Sequence, residues 1–107
     1  MELFNGKAKK LFDNWFDENY EAISLRIIDD EVYLDGFYEL PLSMQWGVIE
    51  DFARSLGYEI TKTVYKNRID YTIHRFDYYG FVTISEFTSL ERGRMQLIEE
   101  LNNLLNK

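Results

Sequence analysis

The single histidine, His74, is the first side chain to consider for catalysis, because imidazole exchanges protons readily near neutral pH. The chain has no cysteine and no second histidine that would share a metal ion with it or serve as a nucleophile beside it. No serine stands in a G-x-S-x-G turn. The sequence therefore predicts a structural or surface role for His74 and a protein that is not an enzyme. A small enzyme is the least favoured alternative.

The acidic run Asp29-Asp30-Glu31, followed by Asp35-Gly36, raises the question of a cation site. A calcium loop of the EF-hand type needs oxygen ligands at positions 1, 3 and 5 and glycine at position 6. Counting from Asp29 places Tyr33 at position 5 and Leu34 at position 6, so the motif fails. Glycine-rich phosphate-binding motifs are also absent from the sequence. We predict that no metal or other cofactor is needed; a weak divalent contact without a motif is the alternative.

The charge of the chain is strongly negative in its first half. The formal net charge is -7 and the pI is about 4.6. Between residues 13 and 51 there are eleven acidic residues and one basic residue, Arg26, whereas residues 53–94 carry seven bases and five acids. Because Lys and Arg supply most of the affinity for phosphate backbones, direct binding of nucleic acid is disfavoured.

This acidic half is the candidate binding surface, for a partner protein with a basic surface. The predicted partner-binding residues are Asp13, Asp17, Glu18, Glu21, Asp29, Glu31, Asp35, Glu39 and Trp46. In the first helix the lysines precede the acids, opposite to what the helix dipole favours. Two interpretations are open: compensation between neighbours four residues apart, such as Lys9 with Asp13, or a patch kept for a partner. Trp46 lies beside the apolar stripe of its helix, so it faces either the edge of the core or a partner.

The chain length of 107 residues and its apolar content of 46% suit one compact domain over residues 1–107. The absence of cysteine favours a reducing compartment. Residues 1–11 lack the pattern of a leader peptide, and no apolar run reaches the roughly 20 residues that a membrane helix needs. We expect a cytoplasmic protein that does not span a membrane.

Hydrophobic periodicity predicts an α+β fold. Apolar residues at three- and four-residue spacing predict a first helix over residues 6–19 with Asn5 as its N-cap, and a second helix begun by Ser43 and ended by Gly57. Alternating residues predict a hairpin formed by residues 23–28 and 31–40.

Three further strands and a final helix complete the predicted order. The strands are predicted over residues 58–65, 69–76 and 81–87, with turns at 66–68 and 77–80. The last helix follows a capping box at residues 88–91, and Leu101 lies central in its apolar stripe, as Phe12 does in the first helix. The predicted order is α-β-β-α-β-β-β-α, an antiparallel sheet with helices packed on one face. The open face is expected to carry Tyr65, Thr72, His74 and Thr83.

The segment FYELPLSMQWGVIEDF, residues 37–52, followed by Ser55-Leu56-Gly57, resembles small uncharacterised proteins of bacteriophages and prophages of gut bacteria. The resemblance extends to the helix around Trp15-Phe16 and to the last helix that starts at Glu91-Arg92. It implies no catalytic residue. It implies a phage accessory protein in the host cytoplasm that inhibits or modulates a host protein, such as a defence or nucleic-acid-handling enzyme. The alternative is a structural or regulatory module of a phage without an inhibitory role.

Overall fold

The computed structural model describes residues 3–27, 32–75, 81–87 and 90–107. Its elements in chain order are α1 (Gly6–Ile27), α2 (Leu34–Tyr38), α3 (Leu42–Ser55), β1 (Tyr58–Val64), β2 (Ile69–Arg75), β3 (Phe81–Phe87) and α4 (Leu90–Leu105). Helices combined with an antiparallel sheet confirm the α+β class. Among the described helices, none has the length and apolar character needed to cross a bilayer.

The sheet is an antiparallel meander in the order β1-β2-β3. Ile60 pairs with Ile73 across β1 and β2, and Tyr71 pairs with Ile84 across β2 and β3. The tight connection between β1 and β2 is closed by the Tyr65 N–H, which donates to the carbonyl oxygen of Arg68 at 2.9 Å. These strands lie where the alternating pattern predicted them. The turn predicted at residues 77–80 lies outside the described residues.

One face of the sheet contributes to the core. Ile60, Tyr71 and Ile73 pack in the hydrophobic cluster, where α3 lies against β1 and α4 lies against β2 and β3. On the opposite face Thr61 is exposed, while Thr72 and His74 are half-buried. The predicted open face thus has the expected residues at Thr72 and His74.

The predicted hairpin over residues 23–28 and 31–40 is wrong in the part that is described. Residues 23–27 continue α1, and α2 occupies the middle of the second predicted strand. Phe37 of α2 is completely buried, with its ring 5.6 Å from that of Phe12 and 5.0 Å from that of Phe16. Burial of this ring against α1 favours a helical turn over an extended strand, because tertiary packing overrides a weak β propensity. The acidic turn at Asp29-Asp30 lies outside the described residues.

Aromatic rings fill the space between α1, α2 and α3. Phe12 lies at the centre, with no exposed surface and with its ring perpendicular to that of Phe52 at 5.0 Å. Phe4, which precedes α1, contacts both of these rings at 5.3 and 5.6 Å. Leu101 of α4 is likewise completely buried. The predicted central positions of Phe12 and Leu101 are confirmed.

The two ends of the chain meet through three asparagines, Asn5, Asn102 and Asn106, which we call the terminal clasp. Asn106 Oδ1 accepts hydrogen bonds from the backbone N–H groups of Lys7 at 2.8 Å and Ala8 at 3.4 Å. The Asn5 side chain, which was predicted to cap α1, instead accepts from Asn102 Nδ2 at 3.1 Å. Asn5 does occupy the predicted N-cap position, since its carbonyl oxygen accepts the Lys9 N–H at 3.2 Å, but Asn106 supplies the side-chain oxygen that caps the helix.

The ends of α3 differ in how well the sequence predicted them. Pro41, not Ser43, is the N-cap residue, and the helix begins at Leu42 without a side-chain cap. Gly57 follows the C-cap with φ of 86°, a left-handed conformation that favours glycine. The predicted stop is confirmed, and the predicted Ser43 cap is wrong because proline already fixes the entry into the helix.

Candidate partner-binding surface and a polar pocket

Helix α1 presents three of its predicted acidic residues to solvent. Asp17, Glu18 and Glu21 are exposed. Asp13 is different, because its side chain forms an ion pair with Lys9 and accepts a hydrogen bond from the Tyr38 hydroxyl at 2.6 Å. The interpretation that neighbouring charges compensate each other is therefore confirmed for Lys9 and Asp13. Asp13 therefore joins α2 to α1.

Helix α2 adds further acids beside this surface. Asp35 and Glu39 are exposed, and Asp35 Oδ1 accepts a hydrogen bond from the Gly36 N–H at 2.8 Å. We call the five exposed carboxylates of these two packed helices the acidic surface: Asp17, Glu18, Glu21, Asp35 and Glu39. Asp29 and Glu31, also predicted for this surface, lie outside the described residues.

The acidic surface carries uncompensated charge. Within residues 3–27, 32–75, 81–87 and 90–107, ion pairs join basic side chains to Asp13, Asp51, Glu59 and Asp70, and none involves the acidic surface. Exposed carboxylates of one sign in this arrangement create a field that attracts basic surfaces. The charge is thus available for an intermolecular contact.

Trp46 does not belong to this surface. Only 6% of it is exposed, and its ring lies edge-on to that of Tyr71 with centroids 5.6 Å apart. The guanidinium carbon of Arg94 lies 5.2 Å from the centroid of the Trp46 ring. Of the two interpretations of Trp46, burial of the ring supports the core edge.

Beside Trp46, a pocket of about 160 Å³ opens between α3, α4 and the first two strands. Glu50 and Lys62 line it together with Tyr71 and Arg94. The Tyr71 hydroxyl and Arg94 Nε are buried there, and neither has a hydrogen-bond partner among the described residues. The sequence analysis missed this pocket, although one signal was present: Arg94 is a charged residue on the apolar stripe of the last helix.

A larger groove of about 470 Å³ runs along α4. Leu3, Met95 and Ile98 give it apolar surface, and Gln96 and Asn102 give it polar surface. The buried polar atoms that lack a hydrogen-bond partner, among the residues described, lie elsewhere. Unlike the smaller pocket, this groove is therefore not lined by described residues whose buried polar atoms lack hydrogen-bond partners.

Metal ligation was tested on the geometry of the described residues. No three His, Asp or Glu side chains among them lie close enough together to hold a metal ion. Comparison with models of protein families, with curated proteins and with solved structures finds no match. Function must therefore be argued from the acidic surface and the pocket themselves.

Proposed function

We propose that this chain is a non-catalytic protein-binding module whose acidic surface engages a partner protein with a basic surface. The observation that supports it is the set of five exposed carboxylates on α1 and α2, with no ion pair to a basic side chain in the described part of the chain. Charge of one sign steers association and selects partners of opposite charge more than it adds affinity.

The packing beneath the acidic surface supports this proposal. Phe37 fixes α2 against α1, and the Tyr38 hydroxyl binds the Asp13 carboxylate. The exposed acids therefore stand on two helices that are held together, so a partner meets a preformed surface and little conformational entropy is lost on binding. The resemblance of residues 37–52 to phage proteins extends the proposal: the chain is a phage accessory protein that acts in the host cytoplasm on a host protein.

The experiment is a capture from host lysate followed by binding kinetics with the captured protein. Asp17→Lys/Glu21→Lys reverses two charges of the acidic surface, and Glu91→Lys/Glu99→Lys makes the same change in net charge on exposed positions of α4. We expect the first variant to lower the association rate about tenfold or more and the second to change it much less. Association of the wild type is expected to slow with added salt, since the Debye length falls from about 10 Å at 0.1 M to about 3 Å at 1 M.

If both variants lower the association rate equally, the effect comes from the overall charge, which would contradict a localised binding surface. If the association rate depends neither on salt nor on the α1 charges, the acidic surface does not take part in binding and serves only solubility. Whether the partner's own activity falls when the complex forms distinguishes an inhibitor from a structural or regulatory module.

A further inference from the structure

The pocket beside Trp46 contains two buried donors that no described protein group satisfies. Tyr71 and Arg94 both line the pocket. Tyr71 is 1% exposed, and the buried Tyr71 hydroxyl and Arg94 Nε each lack a hydrogen-bond partner among the described residues. A buried polar group left without a hydrogen-bond partner is unfavourable, because it has lost its bonds to water without replacement. Two such groups that line one cavity indicate a ligand that accepts hydrogen bonds from both.

The chemistry of the two donors specifies the ligand. A guanidinium N–H and a phenolic O–H both donate, so the ligand must present acceptor atoms, and the charge of Arg94 favours an anion. Lys62 adds a second positive charge on the wall, against one negative charge from Glu50. The lining thus has a charge of +1 in a chain whose net charge is -7. A carboxylate presents two acceptor oxygens, one for each donor.

The size of the pocket restricts the ligand further. A volume of about 160 Å³ equals roughly five waters at about 30 Å³ each. It is smaller than the roughly 300 to 1,000 Å³ typical of sites for drug-sized ligands and cofactors. A nucleotide is therefore too large. A short carboxylate with about five non-hydrogen atoms has the appropriate size.

Trp46 gives the pocket an apolar wall. Its ring contacts both donor residues, lying edge-on to Tyr71 and beneath the Arg94 guanidinium. Stacking on an aromatic face orients the guanidinium and limits the freedom of its side chain. The donors are thereby held in place before a ligand arrives, while the ring offers a surface to a short alkyl chain.

We propose that this pocket is a binding site for a small carboxylate anion, held by the Tyr71 hydroxyl and Arg94 Nε. The site is separate from the acidic surface, and it does not depend on the function proposed for that surface. Trp46 positions Arg94 and reports on the bound ligand. Glu50 opposes the anion and sets an upper limit on the affinity.

The test is a titration of the full chain with propionate, at constant ionic strength maintained with chloride, followed by the indole N–H signals in ¹H–¹⁵N NMR spectra. The chain has two tryptophans. Trp46 lines the pocket, whereas Trp15 contacts Phe52 in the aromatic core. We expect a saturable shift of the Trp46 signal with a dissociation constant of about 1 mM or below, and no comparable shift of Trp15. Inorganic phosphate is expected to bind at least about tenfold more weakly, since its higher negative charge is repelled more strongly by Glu50.

Tyr71→Phe removes one donor with little change in shape, and Arg94→Gln replaces the charged guanidinium with a shorter neutral amide. Tyr71→Phe and Arg94→Gln are each expected to weaken propionate binding at least about tenfold, the effect of losing one hydrogen bond to a charged group. Tyr65→Phe and Arg92→Gln are the matched controls at exposed positions, and we expect them to leave the affinity unchanged within about twofold. Glu50→Gln is expected to tighten binding.

Absence of a saturable Trp46 shift up to about 100 mM propionate would overturn the proposal, since binding that weak is negligible. An unchanged affinity in both Tyr71→Phe and Arg94→Gln would also overturn it. Equal affinities for phosphate and propionate would overturn the assignment to carboxylates. Tyr71 lies in β2 and Arg94 in α4. If one of the two variants fails to fold, the affinity of the other variant for propionate still tests the proposal.

Discussion

Two layers of the molecule differ in whether their buried polar groups are hydrogen-bonded. One is the helical layer, formed by α1, α2 and α3; the other is formed by the sheet and α4. In the helical layer, the Ser24 hydroxyl accepts the Val32 N–H at 2.8 Å, and Gln45 Nε2 donates to the Phe37 carbonyl at 2.9 Å. Both residues are 2% exposed, and both attach the segment around α2 to its neighbours. In the other layer, the buried atoms Asp70 Oδ1, Tyr71 Oη and Arg94 Nε lack hydrogen-bond partners among the described residues.

This difference separates a layer whose buried polar groups are satisfied from a layer that keeps buried polar atoms without partners among the described residues. Satisfied polar groups and close aromatic packing make the helical layer a rigid support for the exposed carboxylates that we propose as a binding surface. Unsatisfied donors lower stability and are retained where they serve another purpose. Asp70 is a partial exception, because its Oδ1 lies 3.4 Å from Arg68 Nε in an ion pair without hydrogen-bond geometry.

The largest expected effect comes from breaking the aromatic core of the helical layer. Phe12→Ala removes a completely buried ring that contacts four other phenylalanines. We expect the free energy of unfolding to fall by about 3 to 5 kcal/mol, because a cavity replaces the ring. Urea denaturation followed by circular dichroism measures it. Asn14→Ala is the control at an exposed position of the same helix, with an expected change within about 0.5 kcal/mol. Similar losses at both positions would contradict the burial described for Phe12.

A smaller loss is expected when one satisfied polar group is removed. Ser24→Ala leaves the Val32 N–H without its acceptor and removes the hydrogen bond to the Tyr20 carbonyl. The expected cost is about 1 to 3 kcal/mol. The same denaturation experiment on Ser43→Ala, at an exposed position without a capping bond, is expected to show a change within about 0.5 kcal/mol. A cost for Ser43→Ala that equals that for Ser24→Ala would contradict both assignments.

The smallest effect is expected in the layer formed by the sheet and α4. Tyr71→Phe removes a hydroxyl that has no partner in the described part of the chain, so unfolding free energy should change by less than about 0.5 kcal/mol or should rise. A loss above about 1 kcal/mol would show that the hydroxyl is satisfied in solution, and it would remove the contrast between the two layers. The measurement is made without added carboxylate.

Secondary structure was predicted correctly where the hydrophobic pattern of a segment fitted either a helix or a strand, but not both. The stripes of α3 and α4 and the alternation in the three strands each matched a single period. The segment over residues 23–40 satisfied two periods, because Leu34, Phe37 and Tyr38 are also spaced as on a helix. The choice depended on a contact between Phe37 and α1, and no local pattern contains that contact.

The candidate sites were predictable to different degrees. Charge is visible in a sequence, and Asp17, Glu18 and Glu21 are exposed as expected of a charged helix face. The pocket needed knowledge of the packing, since Trp46, Tyr71 and Arg94 come from three elements that meet only in the folded chain. Arg94 on an apolar stripe indicated a buried charge, but its companions could not be read from spacing.

The terminal clasp has a consequence for the order in which the chain acquires structure during synthesis. Asn106 and Lys7, joined by the capping bond at 2.8 Å, are 99 positions apart. A ribosome completes α1 long before it has added residue 106, so the nascent helix emerges without this cap. Closing so long a loop has an entropic cost, so this contact is expected to form after the contacts between nearer segments. The N-terminal end of α1 is therefore expected to reach its final conformation only after α4 has been synthesised and has packed against the rest of the domain.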